Sequence, residues 1–541
     1  MEETFSRRAR PGGMYTAVAL LAFAALSSVR AETWSRYVRA FNATDRESYT
    51  NTIRNVEAET FLRTHAPVFE CPDADIERTY HFRWWTFRKH LRRTEDGWVI
   101  TEFLPPVPWA RRHNTISCAL GHHCREGRWL RDGAFVSDYL RFMLRKGRVS
   151  GNGAYINWPA VSIGAWTEAT GDRSLGRDLL PDLVRHYAVW EKGWRERAWP
   201  YKGDVRIGRD PCGLFAISAN YEGSEFAIGG NGYRPFINSC MAAEARAIAE
   251  IARECGKEAL AKRFAGKAAA LERLVTEKLW HPQRFFYTTV STAGVHSVTR
   301  ELNGYAPWYF SIAPKGRGAA WNQIIDEKGF SAPWGLTFPE RRDPAFKIDY
   351  EGHSCLWNGP VWPYSTSIAL VGLANALAAG EAGDVTAEDY VRILSQYARA
   401  HVLKRPDGSV VPWIDENQNP FDGDWIARTK LKKKGDQIPD RGKDYNHSTF
   451  CDLVISGLVG LSSPGPGVIE LKPLAPRRWN WWRLSGVPCG GALVDVVWDR
   501  DGGRFGNGAG FRVSVDGREL CRDVVPGVKR FVVKEARAHR R

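Results

Sequence analysis

Residues 236–255 read FINSCMAAEARAIAEIAREC, and after Gly256 residues 259–280 read ALAKRFAGKAAALERLVTEKLW. In the first stretch Ile237, Met241, Ile248, Ile251 and Cys255 fall on one face at helical spacing. Gly256 stops that helix, and the second begins almost at once, so the two predict a helical hairpin. Working outward, the same periodicity predicts helices over Asp132–Arg145, Trp158–Thr170 and Leu179–Trp194 upstream. Downstream it predicts Tyr364–Ala379, Ala387–Leu403 and Ser448–Leu461. Short connections alternate with long ones rich in Gly, Pro, Trp and Asn. That alternation predicts an all-α core of hairpins arranged around a ring, with the long loops gathered at one end. No repeat of fixed period accompanies it.

The composition changes near Ser462-Ser463-Pro464-Gly465. After it come β-type runs at Val468–Leu471, Ala492–Trp498, Phe511–Val515 and Lys529–Val533, separated by turns such as Asp501-Gly502-Gly503. The expected organisation is therefore a helical domain over 32–462 and a small β-rich region over 463–541. Residues 1–31 precede both. Arg7-Arg8-Ala9-Arg10, an apolar run from Met14 to Val29 and the ending Ser28-Val29-Arg30-Ala31 have the order of a secretory signal peptide. The apolar run is short for a membrane span. The mature chain is expected to be secreted or periplasmic, with no integral membrane segment.

The 541 residues carry 43% hydrophobic and 25% charged residues, ordinary for a globular protein. The 23 Trp, 18 Tyr and 25 Phe are less ordinary, because many stand beside Gly, Pro, Asn and charges rather than in apolar runs. Flat aromatic faces suit the C–H faces of sugar rings, and their polar tips suit hydroxyls. The net charge is +15, which can attract any polyanion. No dense Lys/Arg run with interleaved aromatics occurs; Lys432–Lys434 and His539-Arg540-Arg541 come nearest. The charge reads as a solvated basic surface, and no nucleic-acid partner is expected. Ten cysteines are irregularly spaced without a CxxC pair. Cys118 and Cys124 are close enough to bridge, while Cys240 and Cys255 read as core packing. His122-His123-Cys124 lacks a second ligand pair at metal-site spacing, so no metal or cofactor is expected.

Five loops place carboxylates and amides among aromatics and glycines. They are Glu126–Asp132, Asn220–Phe226 with Gly229–Pro235, Trp334–Leu336 with Trp357–Tyr364, Trp413–Asn417, and Tyr445–Ser448. Each leads into or out of a helix. Glycosidic cleavage needs one protonated carboxyl to give a proton to the leaving oxygen and one ionised carboxylate to activate water or attack. Aromatic surroundings raise one pKa by desolvation while a polar neighbour keeps the other group ionised. Asp132 also fits a helix N-cap, and Glu222 a tight entry into the following helix.

The run Trp357-Asn358-Gly359-Pro360-Val361-Trp362-Pro363-Tyr364 resembles a loop of six-hairpin glycosidases, those of glycoside hydrolase family 63 and the mannosylglycerate hydrolase type, and more distantly trehalase. The resemblance spans roughly residues 80 to 460. It implies an (α/α)6 barrel and an inverting hydrolysis of an oligosaccharide or polysaccharide side chain. The Glu222–Glu225 loop is similar to the general-acid loop of those enzymes. Glu222 falls where they carry Asp, and Glu225 stands close enough to take the role instead. Trp413–Glu416 resembles the base loop, with Glu416 activating water. Sugar contacts would come from Trp129, Arg131, Asp132, Tyr233, Arg234, Trp334, Trp357, Asn358 and Trp362. His447 would add one, or cap the helix after it. Two other readings fit the same residues: a polysaccharide lyase on a helical toroid, favoured by the basic charge and Tyr445-Asn446-His447, and a non-catalytic glycan-binding protein.

Overall fold

A computed structural model describes residues 32–197 and 204–533; the segment read as an export signal and the basic C-terminal tail lie outside the described residues. The predicted hairpin is present as Pro235–Glu254 and Glu258–Lys278, packed along each other. Pro235 sits in the first turn, where its missing N–H costs nothing. The Pro235 helix also packs on Pro159–Thr170 and Ser174–Lys192. Further on, Pro363–Ala379 packs on Ala387–Arg399, which in turn packs on Ala74–His90. Thus a late helix meets an early one. No helix among the described residues is long and apolar enough to cross a membrane.

The Ala74–His90 helix was not legible in the sequence. Fourteen of its 17 residues are buried, including Arg83, Arg88 and Lys89. A helix buried on all sides shows no apolar stripe. Its charges are matched internally. Lys89 Nζ donates to Asp45 and Asp444 at 2.7 Å each, and Arg88 donates to the Ile53 carbonyl and Asn55.

The segment expected as a Ser448–Leu461 helix is shorter and wound wider: Leu453–Leu458 forms a π-type turn. Glu126 accepts the N–H groups of Phe450, Cys451 and Asp452 at 2.8–3.1 Å. The Tyr390 hydroxyl donates to the Leu453 carbonyl at 2.8 Å.

The C-terminal strands form a five-stranded antiparallel sheet ordered Val68–Glu70, Trp481–Cys489, Ala492–Asp499, Gly510–Val515, Arg518–Asp523. Its first strand comes from the N-terminal part of the chain, with Phe69 opposite Leu484 and Glu70 accepting from Arg483 Nε at 2.7 Å. A second sheet joins Leu461–Gly465, Val468–Leu471 and Lys529–Val532. Gly490 and Gly491 donate to the Glu168 and Ala169 carbonyls at the end of the Pro159 helix. The β-rich region is tied to the helical body at both ends of the chain. No disulfide forms among the described residues: Cys118 and Cys124 stay free thiols on either side of the start of the Leu120–Gly127 helix.

Candidate active site

Three loops converge because their backbones are stitched together. Val361 and Gln418 exchange N–H to carbonyl bonds of 2.9 and 3.0 Å. Asn417 Nδ2 donates to the Ser354 carbonyl at 3.0 Å. Trp357 N–H donates to the Glu225 carbonyl at 3.0 Å. The loops bearing Glu225, Trp357 and Glu416 are thereby joined into one unit.

Within that unit Trp357 stacks on Trp362, with ring centroids 3.9 Å apart and planes 5° off parallel. Trp357 Nε1 donates to Glu225 Oε2 at 3.0 Å. Across the site the Cys355 thiol donates to Glu416 Oε2 at 3.1 Å. Asp415 holds the turn: its carboxylate accepts the Glu416 N–H at 2.8 Å and Trp413 Nε1 at 3.2 Å. Phe226, directly after Glu225, adopts φ 63°, a left-handed conformation that costs a bulky residue energy and survives only where its surroundings enforce it.

Burial, reinforced by the Glu416 charge, pushes the Glu225 carboxyl up to about 7. The same two causes, burial first, bring Asp415 to about 7. A third carboxyl joins them that the sequence did not single out. Glu102 is buried, receives the Tyr445 hydroxyl and is pushed up to about 8 by burial and by the charges of Glu416 and Glu225. It stands in the stretch Thr101-Glu102-Phe103-Leu104-Pro105, a loop with no helical or strand period to mark it. Cys118 belongs to the same neighbourhood, facing Gly223 and feeling the charges of Glu102 and Glu225.

The other expected site residues are distributed differently. Glu222 is buried with both oxygens engaged, one by Arg234 Nε at 2.6 Å and the other by the Ile237 N–H at 3.3 Å. Arg234 also donates to Glu301 at 2.9 Å. Glu222 and Arg234 thus form a buried ion network that anchors the start of the Pro235 helix. Tyr233 donates from its hydroxyl to Asp210 at 2.9 Å. Trp334 packs under Lys404 and against Gly423. Asn358, beside Trp357, keeps a buried Oδ1 without a protein partner. His447 lies against Tyr445 at 3.9 Å, with Trp362 6.2 Å away, and burial holds it far below the ordinary histidine range.

Trp129, Arg131 and Asp132 lie at the far end of the Leu120–Gly127 helix from Cys118, a helix about 12 Å long at 1.5 Å per residue. Trp129 Nε1 donates to Asp452 at 2.8 Å. Arg131 donates to the carbonyls of Arg63, Thr64 and Gly486, joining the β-rich region. Asp132 accepts the Ala134 N–H at 2.9 Å, a helix-start contact. Among the described residues the ligating side chains that cluster are Glu95, Asp96 and His113. Arg112 and Lys146 already pair with those carboxylates.

The loops bring two carboxyls together, Glu225 raised to about 7 and Glu416, beside a stacked tryptophan pair, and glycosidic cleavage needs two such groups. The chain belongs to the mannosylglycerate hydrolase MGH1-like glycoside hydrolase family, whose profile matches residues 112–448. A solved structure described as a sialidase aligns with a TM-score of 0.82 at 32% identity, over 94% of this chain and 45% of that one. The family 78 rhamnosidase of Bacillus sp. GL1 aligns with a TM-score of 0.50 at 13% identity, over 80% of this chain and 40% of that one. The chain thus spans less than half the length of these two. The family 63 mannosylglycerate hydrolase from Thermus thermophilus in complex with glucose aligns more weakly, with a TM-score of 0.43 at 14% identity, over 65% of this chain and 98% of that one.

Proposed function

We propose that this glycosidase hydrolyses the bond to an acidic, sialic-acid-type sugar at the end of a glycan, by inversion, on an (α/α)6 toroid of helical hairpins. The observation that carries the reading is the pairing of Glu225, held on Trp357, with Glu416, held on Cys355 and Asp415. Glu225 is the general acid. Its Oε2 is occupied by the indole N–H, which leaves Oε1 to carry the proton to the leaving oxygen. Glu416 is the general base. It takes a proton from water as the water oxygen bonds to the anomeric carbon and the glycosidic C–O bond breaks. The Trp357 and Trp362 rings, buried and stacked on each other, back the Glu225 side of the site and fix its position.

Support for an acidic sugar comes from the likeness to the sialidase and from charge. The chain carries +15 overall. Near the pair, the Lys430 ammonium donates to the His353 carbonyl at 2.6 Å. The hydrolase reading is favoured over the lyase because the family profile matched is that of glycoside hydrolases. The signal-like order of residues 7–31 supports a secreted or periplasmic enzyme, where such glycans are met. The test is hydrolysis of an aryl α-sialoside beside aryl glucoside, mannoside and rhamnoside, with the first-formed anomer followed by proton NMR. Release from the sialoside with inverted configuration is expected. Turnover of a neutral glycoside alone would overturn the substrate assignment, and a retained anomer would overturn the mechanism.

A further inference from the structure

We infer that Cys355 is a positioning residue for Glu416: its S–H orients the carboxylate and holds it in the form that accepts a proton from water. The inference rests on the reading of Glu416 as the base and names the group that sets it.

The geometry is specific. Cys355 Sγ stands 3.1 Å from Glu416 Oε2. The neighbouring Asp415 binds the Glu416 backbone rather than its side chain, so the thiol is the group that fixes the carboxylate itself. Cys355 is in turn held from both sides. Its N–H donates to His353 Nδ1 at 3.1 Å. The following residues run through Trp357, whose N–H is pinned to the Glu225 carbonyl. The thiol therefore sits at a fixed point between the two catalytic loops.

The direction of proton sharing follows from chemistry. A carboxylate only accepts, and a thiol can donate, so the pair works when Glu416 is ionised and Cys355 is not. Burial and the adjacent Glu416 charge push the Cys355 thiol far up, which keeps its hydrogen in place across the working range. A thiolate at this position would place a second negative charge against the base. The thiol is thus unlike a nucleophilic cysteine, which needs a cation or helix N-terminus to lower its pKa. Glu102, Glu225, Asp415, Tyr155, Tyr445, His353, His447 and the cation Lys430 are the other titratable groups around this pair, and the carboxylates outweigh the one ammonium at the thiol.

The experiment compares Cys355→Ala, Cys355→Val and Cys355→Ser by kcat, KM and the pH–rate profile on an aryl α-sialoside, or on whichever glycoside the wild type cleaves. Alanine removes the donor, valine removes it while filling the space, and serine restores a donor. Expected is a loss in kcat of about tenfold for Ala and Val, the equivalent of one hydrogen bond to a charged group, with KM changed less than about threefold. The acid limb of the profile moves upward in both, because the base loses a donor that favours its ionised form. Serine recovers most of the rate and returns the acid limb toward the wild-type position. An unmoved acid limb in Ala and Val, or serine failing like alanine, overturns the inference. Glu416→Gln run alongside separates the two levels. If that variant keeps full activity, the parent reading fails. If it is inactive while Cys355→Val behaves as wild type, only the role of Cys355 fails.

Discussion

Replacing Trp357 by phenylalanine isolates one hydrogen bond. The ring that stacks on Trp362 at 3.9 Å is largely kept, and the indole N–H that binds Glu225 Oε2 at 3.0 Å is removed. That N–H favours the ionised form of Glu225, while burial and Glu416 oppose it and leave the group near 7. A hydrogen bond to a charged group contributes about 1.5–3 kcal/mol. Part of that is felt by the protonated acid too, since its carbonyl oxygen also accepts. We take about 1.4 kcal/mol as the difference between the two forms, which is about one pKa unit. A general acid must be protonated to act, so activity falls as pH rises through its pKa. The wild type is expected to lose kcat/KM above about 7, and Trp357→Phe to carry its alkaline limb about one unit higher. The maximal rate should fall as well, because the acid loses its orientation. The assay is kcat/KM from about pH 4 to 10 on an activated glycoside, a range wide enough to catch both limbs. An alkaline limb that stays put or moves downward would refute the assignment of Glu225 as the acid held by Trp357.

Arg234→Met strands Glu222 and Glu301 as buried charges; breaking a buried pair in this way costs about 3–5 kcal/mol, read by denaturant unfolding, and a loss under about 1 kcal/mol would contradict the network. Arg131→Ala removes donors to three backbone carbonyls; it should lower stability by about 1–2 kcal/mol and leave KM unchanged, whereas a large rise in KM would return Arg131 to the sugar site. Glu244 is buried and caps the Pro159 helix by accepting the Ala160 and Val161 N–H groups, and burial pushes it up to about 8. A carboxyl whose folded-state pKa is raised stabilises the fold at low pH and loses that contribution as pH rises from its unfolded value through about 8. Glu244→Gln should therefore show a smaller fall in Tm between about pH 6 and 9 than the wild type, and an equal fall would show that Glu244 does not titrate there.

Much of the helical body was legible because its helices face the core on one side only. The Pro235 and Ala387 helices start within a residue of where periodicity put them, since their apolar stripes are flanked by Pro, Thr and Gly signals. The Ala74 helix was hidden by being buried all round. The strand Val68–Glu70 was hidden because its partner lies more than four hundred residues away. At the site, Trp357, Trp362 and Glu416 could be singled out by their setting among Gly, Pro and aromatic residues. Choosing between Glu222 and Glu225 could not be done from spacing: three residues separate them, yet one turns into Arg234 and the other toward Trp357. Trp129 and Arg131 share the aromatic and charged character of the catalytic loops but stand at the opposite end of a helix. Residue type alone does not distinguish the two ends. Glu102 and Cys355 gain their meaning only from the contacts that long-range folding makes.

The central claim is that Glu225 and Glu416, and not Glu222, carry the chemistry. The most direct measurement is kcat for Glu225→Gln and Glu416→Gln, beside Glu222→Gln, on the glycoside the wild type cleaves, with folding of each variant checked by its unfolding transition. Loss of at least about a hundredfold in the first two is predicted, the scale of a removed acid or base, while Glu222→Gln chiefly lowers the unfolding midpoint. Wild-type kcat in either Glu225→Gln or Glu416→Gln would contradict the account.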